Sequence, residues 1–292
     1  MSTSTSPLAR PFPALPAIAG VTPRVARAGY KDWGRCDLTY VELTEGTAVA
    51  GVFTRNRFCA APVHLSRAHL ASGQPIRALV VNTGNANAGT GADGLARARR
   101  SCAALAGLLG AAPTQVLPFS TGVIMETLPV ERIEAGLPAA LADLKADNWA
   151  LAARGIMTTD TVPKQIAVHH RDGWNVGGMA KGAGMLAPSL ATMLVVLTTD
   201  ALVDAEQLDL ALRRATALTF DRLDVDGATS TNDTVLLLSS GASQLRVDQA
   251  DLDAAVFAAC DDLAAQLLAD AEGVTKRVLV EVTGAVDDDQ AL

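Results

Sequence analysis

Residues Lys181–Thr199 read KGAGMLAPSLATMLVVLTT. One lysine opens the stretch, and the 18 residues from Gly182 carry no charge. Apolar runs of that length can span a membrane. This one holds two Gly, Pro188, a Ser and three Thr, and closes on Val, Leu and Thr. Such residues break helices and favour extended backbone. The stretch therefore reads as a buried loop feeding a buried strand, Thr192–Thr198, with no membrane span.

The flanks alternate between short apolar runs and helical patterns. Ile76–Val81, Gln115–Phe119 and Thr234–Ser239 read as strands, and Gln165–His170 with Trp174–Met179 as a hairpin around Asp172-Gly173. Leu95–Leu109 reads as a helix stopped by Gly110, and Pro129–Ala146 as another with Pro in its first turn. Asp204–Leu223 opens on a capping Asp, and Asp251–Asp270 is Ala-rich and helical. Arg277–Thr283 alternates like a half-buried strand. The fold class is mixed α/β, with β-sheets packed against helices.

Composition narrows the function. The chain has 292 residues, 49% of them hydrophobic and only 4% aromatic. Its net charge is −7, which argues against nucleic acid as a partner. Residues 1–191 carry a balance of +6 and residues 192–292 a balance of −13. Cys36, Cys59, Cys102 and Cys260 match no metal or redox spacing and read as reduced thiols of a cytoplasmic protein. No metal is expected, and His64, His69, His169 and His170 read as structural. Residues 1–20, rich in Ser, Thr and Pro, read as a flexible leader without a secretory core.

Several motifs could carry chemistry. Gly89–Gly94 fits Gly-x-Gly-x-x-Gly, but no acid follows until Glu126, so a polar turn wrapped by Asn side chains is preferred to a dinucleotide site. Ser120-Thr121-Gly122 follows a strand and places a hydroxyl beside a glycine that admits a ligand closely, as an oxyanion corner or an ordinary turn. Lys181 enters the charge-free stretch, as an anion-binding lysine or as a surface residue at a loop mouth. Thr192 is either a strand residue or a nucleophile whose own α-amine, freed by cutting the preceding bond, is the base. Such an amine has a pKa of about 7.7–8.0, suited to that task. Asp226–Asp233, DGATSTND, is a hydroxyl- and Asn-rich turn that either stabilises a loop, the preferred reading, or lines a site. Gly273 looks like a helix stop, which puts Glu272 in the last helical turn, against the dipole.

In order along the chain, Asn82–Gly91, Ser120–Ile124, Thr158–Thr161, Lys181–Leu194 and Asp226–Thr234 resemble the ornithine acetyltransferases. These are also called the bifunctional glutamate N-acetyltransferases of arginine biosynthesis. KGAGMLAPSLATML is the most specific match, and the likeness runs from about Val21 to Ala285. It implies an N-terminal-nucleophile-like fold of the ornithine acetyltransferase and β-aminopeptidase type. It implies scission between Ala191 and Thr192, giving an α-chain segment 21–191 and a β-chain segment 192–292. Thr192 would take acetyl from N-acetylornithine and pass it to glutamate, with Thr121 and Gly122 as the oxyanion hole. Thr158, Lys181, Thr192 and Glu272 would bind substrate. No cofactor is implied, and whether acetyl-CoA also serves as a donor stays open. Two α and two β chains would form a heterotetramer.

Three positions depart from the family pattern. Met125 stands where Gly is usual, Gly89 where Cys is expected, and Ala228 where Asp is expected. Family members also continue past Leu292 with an Asn and a Ser or Thr that complete the substrate site. The alternatives are an amidohydrolase or aminopeptidase, in which water replaces glutamate, and an inactive remnant.

Overall fold

The computed structural model describes residues 5–10, 15–142, 148–186 and 193–291. In chain order the strands are β1 (Val21–Ala26), β2 (Leu38–Leu43), β3 (Ala48–Phe53), β4 (Ala78–Asn85), β5 (Val116–Val123), β6 (Lys164–His169), β7 (Asn175–Lys181), β8 (Leu194–Thr199) and β9 (Thr234–Ser239). The main helices are α1 (Ala61–Ala71), α2 (Gly91–Leu109), α3 (Val130–Ala142), α4 (Trp149–Gly155), α5 (Ala205–Leu218) and α6 (Gln249–Ala269).

The strands form two sheets, β1-β2-β4-β5 and β3-β9-β8-β7-β6. Most neighbours are antiparallel, while β4–β5 and β8–β9 run parallel. Strand periodicity sorts their side chains into three cores. Leu236 and Leu238 of β9 join Val196 of β8 and Leu79 and Val81 of β4 between the sheets. Val235 and Leu237 of β9 turn the other way, toward Leu208 and Leu212 of α5 and Leu263 of α6. On the far face of the first sheet, Tyr40 and Val80 meet Leu105 of α2 and Leu137 of α3. The result is four layers: helices, sheet, sheet, helices. Strands covered on both faces need no polar alternation, which is why VVLTT and TVLLLS are continuous apolar or hydroxyl runs.

Local signals set the element ends. The Asp204 side chain accepts from Gln207 N at 2.9 Å to cap α5, and Gly110, at φ +64°, closes α2. The Asp172-Gly173 hairpin is present, pairing His169 with Asn175. His170 lies beyond β6, with its ring stacked on Trp174. The helix read as Asp204–Leu223 stops at Leu218, and a 3-10 turn, Phe220–Arg222, buries Phe220. Helix α6 begins earlier than read, because Asp248 and not Asp251 caps it. Residues 143–146 of the expected helix Pro129–Ala146 lie outside the described residues.

Two expectations need correction. Arg277–Thr283 is not a strand: no described strand pairs with it, and Val278, Leu279 and Val280 are 77, 87 and 79% exposed. Alternation offers a face, but a strand also needs a ladder partner. Glu272 is not in a helical turn, because α6 ends at Ala269. The next residue, Asp270, is buried and accepts from Lys164, which turns the chain away. Leu15 and Ile18, in the stretch read as a leader, are buried between the sheets. Among the described residues, no helix is long and apolar enough to cross a membrane.

Leu236→Ala and Leu237→Ala remove side chains of β9 that are 0% exposed and face different cores. Each should lower unfolding free energy by about 2–5 kcal/mol, read from urea denaturation.

Candidate active site

The C-terminal ends of β4, β5 and β7 meet the starts of β8 and β9. Register fixes this: Lys181 of β7 pairs with Leu194 of β8, which pairs with Thr234 of β9. In the other sheet, Thr83-Gly84 of β4 pairs with Thr121-Gly122 of β5. Gly122 has φ +133°, and a Cβ there would lie 2.2 Å from the Gly84 carbonyl carbon. No side chain fits, and the β5 backbone stays bare next to Thr121.

Lys181 is 1% exposed, and its Nζ donates to Thr121 Oγ1 at 3.0 Å. The bond joins the two sheets. Burial pushes the ammonium below its ordinary pKa, with Asp160 pulling it back up. Behind it lies a second buried lysine. Lys164 Nζ donates to Asp160 Oδ1 and to Asp270 Oδ2, both at 2.7 Å, and all three side chains are fully buried. Burial alone would raise the Asp160 carboxyl, but Lys164 and Lys181 hold it down at about 2. Asp160 also accepts from Gly182 N at 2.7 Å and from Thr158 N at 3.0 Å, tying the Thr158–Thr161 loop to the end of β7.

Glu272 approaches from the other side. Its amide donates to Ala183 O at 2.7 Å, and a Cβ on Gly184 would lie 2.8 Å from its Oε1. Asn232, just before β9, donates to Ala86 O at 2.7 Å and Ser120 O at 2.8 Å, a second link between the sheets. Asp233 is 0% exposed, and its Oδ1 accepts from Met193 N at 3.0 Å. Burial pushes its carboxyl up to about 7 against the pull of the Met193 amide and Lys181.

Thr121, Gly122 and Lys181 thus come together. Glu272 is joined to them through the backbone after β7, and Thr158 through Asp160. Ala191 and Thr192 lie outside the described residues. Reading the chain alone missed Lys164, Asp270, Asn232 and Asp233 as parts of the site. The available signals were an ionisable residue at the head of an apolar strand, at Lys164 and at Asp233.

The Gly-rich segment is no phosphate loop. Gly91 already starts α2, and Asn87 Nδ2 donates to Gly94 O at 2.9 Å while Thr90 Oγ1 donates to Asn87 Oδ1 at 2.8 Å. Two of the three departures explain each other. Met125 sits at φ +62°, a conformation that favours Gly, and is 74% exposed. A Cβ on Gly89 would lie 3.0 Å from Met125 Cγ and 3.1 Å from Phe58. The bare Gly89 makes the room that Met125 occupies. Nothing in the structure explains Ala228. His170, Asp172 and Asp251 bring ligand-type atoms within 4.8 Å of one another, His170 and Asp251 half-buried and Asp172 exposed.

The fold is that of the N-terminal-nucleophile hydrolases. A β-aminopeptidase from Burkholderia sp. covers 90% of this chain with a TM-score of 0.54 at 13% identity, and 87% of that chain is matched. The L-aminopeptidase D-Ala-esterase/amidase of Ochrobactrum anthropi, a variant of that fold, matches 90% of each chain with a TM-score of 0.52 at 12% identity. Sequence defines the group more narrowly: residues 23–292 match the ArgJ family, and the chain belongs to it. It is 55% identical over 285 residues to the arginine biosynthesis bifunctional protein ArgJ of Mycolicibacterium paratuberculosis, covering 94% of this chain and 70% of that one. The Mycobacterium leprae protein of the same name is 56% identical over 283 residues, covering 94% and 68%. Ornithine acetyltransferase from Mycobacterium tuberculosis, solved with ornithine, is 40% identical with a TM-score of 0.57, over 61% of this chain and 94% of that one.

Lys164→Met leaves Asp160 and Asp270 buried without their cation. Unfolding free energy at pH 7 should fall by about 3–5 kcal/mol in chemical denaturation. The deficit should shrink toward pH 4, as the Asp160 carboxyl, no longer held down by Lys164, takes up a proton. Gly89→Ala should destabilise by about 1–2 kcal/mol from its left-handed backbone alone. Met125→Gly in the same chain should recover part of the loss, with a coupling of about 0.5 kcal/mol or more in a double-mutant cycle.

Proposed function

We propose that this chain is an autoprocessing acyltransferase of arginine biosynthesis. It cuts itself between Ala191 and Thr192 and moves acetyl from N-acetylornithine to glutamate. The observation that carries the reading is the buried Lys181–Thr121 pair beside Gly122, at the end of β7 from which the chain runs to Thr192. Membership of the ArgJ family supports it, as does likeness to an acetyltransferase solved with ornithine.

In this reading Thr192 Oγ attacks the acetyl carbonyl, and its α-amine takes the hydroxyl proton. The carbon–nitrogen bond breaks, ornithine leaves with that proton, and acetyl stays on Oγ as an ester. The glutamate amine then attacks the ester, N-acetylglutamate leaves, and the hydroxyl is restored. Thr121 and Gly122 stabilise the oxyanion in both halves. Lys181 holds a substrate carboxylate, which gives the buried ammonium a direct counter-charge. Glu272 takes the ornithine side-chain ammonium, and Thr158 contributes to substrate binding. The reaction needs no resident cofactor, and acetyl-CoA is a candidate second donor. Two α and two β chains assemble in the cytoplasm.

A denaturing gel should show fragments of 191 and 101 residues, the smaller beginning at Thr192, and Thr192→Ala should leave one band. Ornithine release from N-acetylornithine should depend on glutamate. Release indifferent to glutamate would replace the transferase with a hydrolase, and an intact wild-type chain would remove both.

A further inference from the structure

Strands β4 and β5 carry the same dipeptide side by side, Thr83-Gly84 in parallel register with Thr121-Gly122. The ladder is regular up to those glycines and shifts at Asn85. Val81 and Phe119, two residues earlier on each strand, both lie in the core between the sheets. Side chains of a strand return to one face every second residue, so Thr83 and Thr121 turn toward that same space. Thr121 shows it directly, because its Oγ1 accepts from Lys181 of the opposite sheet at 3.0 Å. Paired strands stand about 4.8 Å apart, which makes the two threonines neighbours on that face. Thr121 and Lys181 are closed off almost as fully as Thr83, at 2, 1 and 0% exposed.

The Thr83 hydroxyl has no hydrogen-bond partner among the described residues. Its backbone is fixed. The amide donates to Asp37 O at 2.9 Å, and the Asp37 carboxylate accepts from the Ala28 and Tyr30 amides, both at 2.6 Å. A hydroxyl turns about its own C–O bond and takes any acceptor in reach. Buried polar atoms are nearly always paired, so an unpaired hydroxyl carried on a fixed strand beside the Lys181–Thr121 contact points to an acceptor from outside the chain.

We propose that Thr83 is a further substrate-binding residue: its hydroxyl joins the Thr121 hydroxyl and the Lys181 ammonium in a row of donors for an anionic oxygen of the substrate. This assignment rests on the proposed function of the pocket. All three groups can donate, and none brings negative charge. Two oxygens of that reaction have the matching chemistry. One belongs to the carboxylate that an amino-acid substrate carries throughout. The other is the oxyanion that forms on the acyl carbonyl as it is attacked. A contact to the carboxylate acts in the bound state and shows in KM, whereas a contact to the oxyanion acts only in the transition state and shows in kcat. Thr39 supplies the comparison. It is also buried with an unpartnered hydroxyl, but it pairs with Val81 and lies against α4, where a Cβ on Gly155 would come within 2.7 Å of its Oγ1.

The test compares Thr83→Val, Thr83→Ser and Thr39→Val with wild type as full chains. Valine has the shape of threonine without the hydroxyl, and removing an unpaired buried hydroxyl relieves a desolvation cost. T83V should therefore melt at or above the wild-type temperature. With N-acetylornithine as donor and glutamate as acceptor, its kcat/KM should fall about tenfold or more, and T83S should recover most of the loss. The larger change names the oxygen: a rise in KM the carboxylate, a fall in kcat the oxyanion. T39V should leave both parameters at wild type. Wild-type kinetics in T83V, or an equal loss in T39V, overturn the inference. A T83V chain that melts below T83S overturns it too, since its hydroxyl then had a partner within the fold. Ornithine alone, read as a rise in melting temperature, separates this inference from the reading beneath it. A wild type that ornithine stabilises but that transfers no acetyl ends the transferase reading. Thr83 keeps its role there if T83V loses that stabilisation, and loses it if T83V is stabilised equally. A wild type that neither binds ornithine nor turns over ends both, whereas an active wild type beside an unaffected T83V ends this one alone.

Discussion

Lys181 is a buried cation held by a hydroxyl. No carboxylate stands within 4.0 Å of its Nζ among the described residues, although Asp160, Asp233 and Glu272 all act on it from further away. Its neighbour Lys164 shows the alternative, an ammonium between two carboxylates at 2.7 Å. Two buried lysines therefore do different work. Lys164 closes an internal network that fixes the Thr158–Thr161 loop against the end of α6. Lys181 has a hydroxyl where Lys164 has two carboxylates.

Such a site requires two sheets held in fixed relation. Lys181 reaches from β7 to β5, and Asn232 reaches from the head of β9 to carbonyls after β4 and within β5. Both links sit at the same end of the sandwich, beside the apolar layer between the sheets. The interior sets the distance between the sheets, and the few polar links at the rim set their alignment. The close approach of Gly122 to Gly84 shows how tightly β4 and β5 are drawn together there.

Much of this was legible in the chain. The apolar runs of β4, β8 and β9 and the caps of α2 and α5 follow from pattern and end signals. The Lys181-to-Thr192 stretch stood out because charge vanished from it. What sequence could not supply was contact between distant segments. Asp160 lies 4 positions from Lys164, but Asp270 lies 106 from it, and no local spacing announces their network. Asp233 looked like one more polar loop residue until its partner, 40 positions away, was visible. Arg277–Thr283 failed for the opposite reason: its local pattern alternates, but no described strand pairs with it. The Gly89 and Met125 substitutions appear as separate oddities in one dimension and as a single exchange of volume in three.

The second sheet draws its strands from both sides of the 191/192 junction. Strands β8 and β9 lie between β3 on one side and β7 with β6 on the other. Among the described residues, the pairing of β7 with β8 ends at Lys181 and Leu194. Opening the backbone at that junction would leave the described strands interleaved, with those of one half lying between those of the other. The first sheet belongs wholly to residues before the junction, but neither half owns the whole of the second, so native handling would keep the two as a single body that only a denaturant could part.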